Sequence, residues 1–152
     1  MMSVADALTV LDAHLVTAGA TITPAIIDVA KGERANLHRR IDYWLDGLGG
    51  PERMAGSHAT LTDWMVGLGV TCRVYFPVAD RSETYAANIE DDLYTVAFNI
   101  AARVMGDFTL GGNCTAMTVN DIEFGWLSAT GWLRVATIPL VLDFVDQITI
   151  AP

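Results

Sequence analysis

Residues 64–76 read WMVGLGVTCRVYF, and apolar side chains recur there at every second position. A β-strand points alternate side chains to opposite faces of its sheet. This stretch therefore predicts a long strand with one fully apolar face, ended by Pro77. The residues of that face are Trp64, Val66, Leu68, Val70, Cys72, Val74 and Phe76.

Two helices are predicted from apolar residues spaced three or four apart. The longer one covers residues 83–105, follows a capping Ser82 and stops at Gly106. An N-terminal helix covers residues 4–18 and stops before Gly19.

Four further strands complete the prediction. A short one at residues 21–29 contains Pro24, which confines it to a sheet edge or to the entry of a strand, and another lies within residues 37–45. Residues 115–127 and 132–150 form two more, joined by a hairpin turn at residues 128–131. We expect a single α+β domain over residues 1–152: an antiparallel sheet with the long helix packed on one face and the N-terminal helix beside it.

The Gly-rich tract at residues 46–60 has no apolar period and predicts a long flexible loop within that domain. The tract Leu110-Gly111-Gly112-Asn113 predicts a tight turn, since it follows a helix and precedes a strand.

Composition favours self-assembly. The chain is 52% hydrophobic and only 18% charged, where about 25% charged residues is usual. This is more apolar surface than a monomer of this size needs, so we expect other subunits to cover part of it.

The net charge of −9 disfavours tight binding to nucleic acid, whose phosphates need clustered cations. The N-terminus has no basic and apolar leader, and the most apolar tract, residues 132–145, is interrupted by Arg134 and Asp143. We therefore expect neither secretion nor membrane insertion. Cys72 and Cys114 lie in apolar strand patterns and are expected to be buried free thiols.

No catalytic, metal or cofactor site is predicted. The histidines His14, His38 and His58 lack metal-ligand spacing, and the side chains of consecutive helical residues 90–92 diverge. An enzyme would need distant residues to converge, for instance His58, Asp63 and Glu123.

Basic and aromatic residues suggest where partners could dock. Lys31, Arg34, Arg39 and Arg40 form the one basic cluster, which is either an ordinary solvated loop or a patch for an acidic partner. The four tryptophans are either core residues or docking residues. The candidate interface residues are Arg34, Arg39, Arg40, Trp44, Arg53, His58 and Trp64.

The second half of the chain carries an ordered set of motifs. A helix leads into DFTLGG at residues 107–112, then into VNDIEF at residues 119–124, then into a hairpin and an apolar strand. This order resembles the tail terminator proteins of long-tailed bacteriophages, also called minor tail or tail completion proteins, over about residues 60–150. The first third resembles them only in outline.

The resemblance implies a structural virion protein without cofactors, made in the host cytoplasm and placed at the tail–neck junction. It would form a homo-oligomeric ring, typically a hexamer, that caps the tail tube and offers a head–tail joining surface. Its partners would be the tail tube protein and head–tail connector proteins, with DNA passing through an acidic lumen without specific binding. Residues 46–60 would form an arm that contacts the tube or a neighbouring subunit.

Two other functions remain open. A neck or head-completion connector has similar small α+β rings. A cytosolic dimeric binding module would instead form a discrete dimer.

Overall fold

Two long antiparallel strands form the centre of the molecule. In the computed structural model, which describes residues 4–34, 38–49, 52–53, 61–78, 83–128 and 132–149, they are β4 (Leu61–Pro77) and β7 (Trp132–Thr149). They pair without interruption from Leu61 opposite Thr149 to Pro77 opposite Leu133. Both long strands predicted from the sequence are confirmed.

Five shorter strands flank this pair: β1 (Val29–Lys31), β2 (Arg40–Leu48), β3 (Glu52–Arg53), β5 (Ala116–Val119) and β6 (Glu123–Ser128). The sheet order is β1-β2-β4-β7-β5, with β6 also along the outer edge of β7 and β3 along β4. The α+β class is confirmed, but the sheet is mixed because β1 runs parallel to β2. The loop after β1 returns the chain to the start of β2, so both strands run the same way.

Both predicted helices are present as α1 (Val4–Gly19) and α2 (Glu83–Gly106). They cover one face of the sheet, called here the helix face; the opposite side is the open face. The buried stripe of α2 packs on alternate residues of β4 and β7, and Cys72 and Cys114 lie buried as free thiols, as predicted. Each fully buried Leu or Ile contributes about 1.5–3 kcal/mol to folding. The stripe of α2 consists of Ile89, Leu93, Val96, Ala97, Ile100 and Val104.

The strand predicted at residues 21–29 is wrong except at its last residue. The end of α1 takes up the backbone donors: Ala20 N–H donates to Val16 O and Thr21 N–H to Ala18 O. Ile26 N–H donates to Gly19 O, so this segment folds back on the helix instead of joining the sheet.

The loop predicted at residues 46–60 is also wrong in part. β2 continues to Leu48, and the two residues of β3 pair with β4. Gly47 has a φ of 126°, which a β-carbon would strain, and the pairing register shifts between Leu45 and Leu48. A glycine-dependent bulge thus carries β2 into the start of the tract, as far as Leu48. Residues 54–60 lie outside the described residues.

The strand predicted at residues 115–127 is divided in two. Asn120 N–H donates to Pro139 O, but Pro139 has no N–H to return the bond. Val119 pairs with Leu140 and Glu123 with Thr137, so β5–β6 carries one residue more than the facing stretch of β7. The interruption follows from a proline on the neighbouring strand.

Three other predictions concern turns and caps. Residues 107–115 form the predicted turn, with positive φ at Leu110, Gly111 and Gly112. Ser128 pairs with Trp132, as a hairpin requires. Ser82 and residues 129–131 lie outside the described residues.

Candidate interface

A buried carboxylate organises the open face at the β1–β2 edge. The loop after β1 lies over this face, and Asp42 beneath it is 0% exposed. Arg34 donates to Asp42 from its backbone N–H at 3.0 Å, from Nε at 2.8 Å and from Nη2 at 2.6 Å. Arg40 donates to the same carboxylate from Nε at 3.1 Å. Four N–H donors from two arginines therefore hold the Asp42 charge in place.

A second carboxylate closes this network at the surface. Asp28 accepts two hydrogen bonds from Arg34 Nη1 and one from His38 Nε2. The hydrogen bond with His38, followed by that with Arg34, lowers the pKa of Asp28 below its usual value. The loop is thereby fastened to the end of the segment that precedes β1.

Cation–π contacts continue the network across the open face. The Arg40 guanidinium lies 3.7 Å from the centre of the Tyr75 ring, and Arg73 lies 5.2 Å from that of Trp44. Arg73 Nε also donates to Thr137 Oγ1 at 2.9 Å. Burial raises the pKa of Tyr75, so its ring stays neutral beneath the cation.

The structure thus brings together Arg34, Arg40 and Trp44 of the candidate interface residues. It also places their charges inside the chain: Arg40 is 1% exposed, and both arginines bind Asp42. These two arginines hold an edge of the sheet in shape, and their role in an interface stays a prediction.

Arg39 lies apart from them, on the helix face. Its Nη2 donates to Pro24 O, and its guanidinium lies 4.9 Å from the centre of the Phe76 ring. It borders a groove of about 210 Å³ together with Asn88 and Asp92 of α2. His58 lies outside the described residues, as do the side chains of Arg53 and Trp64, so their roles stay predictions.

An apolar surface that the candidate residues did not include lies at the opposite edge. Trp126 and Trp132 are 54% and 46% exposed and meet edge to face, with ring centres 6.3 Å apart. With Val78 and Ala86 they line an open apolar groove of about 450 Å³. Phe124, 44% exposed, continues this surface along β6. We call Phe124, Trp126 and Trp132 the β6 flank.

An ion pair holds the groove in shape. Arg134 donates to Glu90 of α2 at 2.6 Å, to Gly125 O at 2.8 Å, and lies 5.2 Å from the centre of the Trp126 ring. The guanidinium therefore joins the helix, the edge strand and the indole. The sequence signal for this surface is the alternation that puts Ile122, Phe124 and Trp126 on one side of the strand. The alternation does not show which of these residues the helices leave uncovered, so it does not predict their exposure.

Large apolar side chains are also exposed at the β1–β2 edge. Ile27 is 89% exposed, Leu48 68% and Leu45 54%. Leu45 and Leu48 pair with the core residues Val70 and Leu68, so they lie on the helix face. We call Ile27, Leu45 and Leu48 the β1–β2 flank.

Within the described part of the chain, no group of three His, Cys, Asp or Glu residues could hold a metal ion. Glu90 instead pairs with Arg134. No helix in that part is both long and apolar enough to cross a bilayer.

Comparison with known proteins adds little. No protein-family model matches the chain, and no curated protein matches it. Among solved structures, 29 chains match. One, whose name states no function, aligns over 100% of this chain and 99% of its own, with a TM-score of 0.46 and 15% identity. A likeness at that TM-score carries no argument about function.

Proposed function

We propose that this protein is a structural subunit that assembles with copies of itself into a ring and acts as a tail terminator. The ring caps the tail tube and forms the head–tail joining surface. The sequence resemblance supports the function and its partners. The exposed apolar edges of the fold support assembly.

The observation that carries the proposal is the placement of exposed apolar side chains on the helix face. The β6 flank and the β1–β2 flank lie at opposite edges of one sheet. Single exposed apolar residues are normal on a monomer, whereas clusters of them mark interaction surfaces. Two clusters at opposite edges suit a subunit with a neighbour on either side.

The charge of the chain supports the same function. Residues 77–152 carry ten acidic and three basic residues, and the arginines Arg34, Arg40 and Arg134 are each paired with a carboxylate. A ring of such subunits repels the phosphates of DNA in its lumen, so DNA slides through without binding. The tail–neck junction of the virion is the location that this function requires.

The segment proposed as an arm at residues 46–60 becomes shorter. Residues 46–48 and 52–53 belong to strands, so the segment proposed to contact the tube is residues 54–60.

A capping assay tests the function. Purified tail tube protein is polymerised with and without this protein, and tube lengths are measured by negative-stain imaging. We expect tubes that stop growing and carry one ring at an end. An acidic protein of similar size is the control and should leave tube length unchanged.

Tubes of unchanged length without end density would contradict tail termination. Rings that bind head connectors but not tubes would favour the neck or head-completion alternative. A discrete two-chain species without rings would favour the dimeric binding module.

A further inference from the structure

The outer edge of β6 has backbone groups that point away from β7. Asn120 N–H donates to Pro139 O on one side of β7, and Val78 N–H donates to Trp132 O on its other side. Odd-numbered residues of β7 therefore point their backbone groups toward the β5–β6 edge, and even-numbered ones toward β4. Phe124 and Trp126 lie opposite even-numbered residues, so their own N–H and C=O groups point outward. Among the described residues, β6 pairs only with β7.

One of those residues, Trp126, borders the apolar groove. Trp126 and Trp132 form its walls, and Phe124 lies two residues along the strand on the same face. An added strand would therefore find both hydrogen-bonding groups and an apolar recess at one place.

The edge of β1 has complementary features. Ile41 N–H donates to Asp28 O and Gly32 N–H to Tyr43 O, so residues 28, 30 and 32 face β2. Ile27, Val29 and Lys31 consequently turn their backbone groups outward. Ile27, at 89% exposure, is the most exposed large apolar side chain of the described residues, and it lies at the start of this edge.

We infer that β6 of one copy receives residues 27–31 of the next copy as an antiparallel strand, with Ile27 seated in the groove between Trp126 and Trp132. The inference rests on the proposed ring and names its contact. An antiparallel contact agrees with the strand directions, because β1 and β6 run in opposite directions within the sheet. This register puts Ile27 opposite Trp126 and Val29 opposite Phe124, and Val29 and Phe124 both lie on the helix face.

Charge favours this pairing over self-pairing of the β6 edge. Residues 27–31 carry one acidic and one basic residue, Asp28 and Lys31, whereas residues 116–128 carry Asp121 and Glu123 and no base. Two β6 edges would bring the acids together and would offer two recesses without an apolar side chain to fill them. The contact is therefore head-to-tail, which closes into a ring when the rotation between copies allows it.

Single-edge variants test the contact. Ile27→Glu disables the β1 edge and Trp126→Glu disables the β6 edge, and each is compared with wild type by native mass spectrometry over a concentration series. We expect each variant alone to associate at least tenfold more weakly than wild type. Val4→Glu, an exposed apolar position at the start of α1, is the matched control and should assemble normally. Circular dichroism verifies folding, and Phe124→Glu replaces Trp126→Glu if the latter unfolds.

Mixing the two variants gives the sharpest result. Each variant keeps one intact edge, so the mixture should form a species of two chains of 16.4 kDa and nothing larger. Rings that persist in both variants would overturn the contact while leaving the proposed function intact. Self-association of Ile27→Glu alone into dimers, or a mixture that stays single, would also overturn it. Edge-dependent rings that fail to cap tubes would refute tail termination and leave the contact standing.

Discussion

Asp42 decides the shape of the β1–β2 edge. It is fully buried, yet it binds Arg34 of the covering loop and Arg40 of its own strand. A buried charge is tolerated only when it is paired and hydrogen-bonded. If the loop moved away, Asp42 and its arginine partners would either become exposed to solvent or stay buried with fewer partners. The same edge carries Ile27, whose presentation depends on the loop being in place.

The substitution Asp42→Asn tests this role. It keeps the shape of the side chain but removes the carboxylate charge that pairs with the buried Arg40 guanidinium. We expect the free energy of unfolding to fall by about 3 kcal/mol, as when one partner of a buried ion pair is removed. Urea unfolding measures it.

Asp91→Asn on the exposed side of α2 is the control and should change stability by less than about 0.5 kcal/mol. A loss below about 1 kcal/mol for Asp42→Asn would mean that the pair acts as an ordinary surface salt bridge.

For individual residues, the sequence predicted which side chains lie close together better than it predicted what those side chains do. The spacing of Arg34, Arg39 and Arg40 indicated a basic cluster, and two of these residues do share one site. Their neutralisation by Asp28 and Asp42 depends on the loop folding over the open face, which no local pattern encodes. The sequence also does not decide whether each tryptophan is a core residue or a docking residue. Alternation assigns a side chain to one face of a strand, but it does not show how much of that face the helices cover.

Among the elements, β2 and its bulge depend most on a single backbone conformation. Gly47 has a φ of 126°, and a β-carbon there would meet no atom within 4 Å. Any cost of adding a side chain is therefore backbone strain and not a steric clash. This strand carries Leu45 and Leu48 of the β1–β2 flank.

We expect Gly47→Ala to lower the free energy of unfolding by about 1–2 kcal/mol, because alanine rarely adopts this φ. Gly106→Ala is the matched control: its β-carbon would also meet no atom within 4 Å, but its φ is not positive. That variant should keep or slightly raise stability. Equal urea midpoints for the two variants would show that the bulge is not held by Gly47.

Periodicity predicted the long elements well. α2, β4 and β7 each repeat an apolar pattern over many residues, so their limits matched closely. The failures have non-local causes: Pro139 divides β5 from β6 across a strand boundary, and the end of α1 binds Ile26. The sequence pattern at residues 115–127 is continuous, so nothing within it indicated the division.

For the whole molecule, a single layer of helices on a wide sheet leaves apolar side chains uncovered at both edges. α2 packs on β4 and β7, α1 packs beside it against α2 and β1, and the flanks at β6 and at β1–β2 remain exposed. This arrangement accounts for the low fraction of charged residues: part of the apolar surface is proposed to be covered by identical neighbours.

The mass of the wild-type protein at high concentration tests this most directly. We predict, by native mass spectrometry and negative-stain imaging, a closed ring with a central hole and a mass that is a whole multiple of 16.4 kDa. A single chain at every concentration, and also in the presence of tail tubes, would contradict the account.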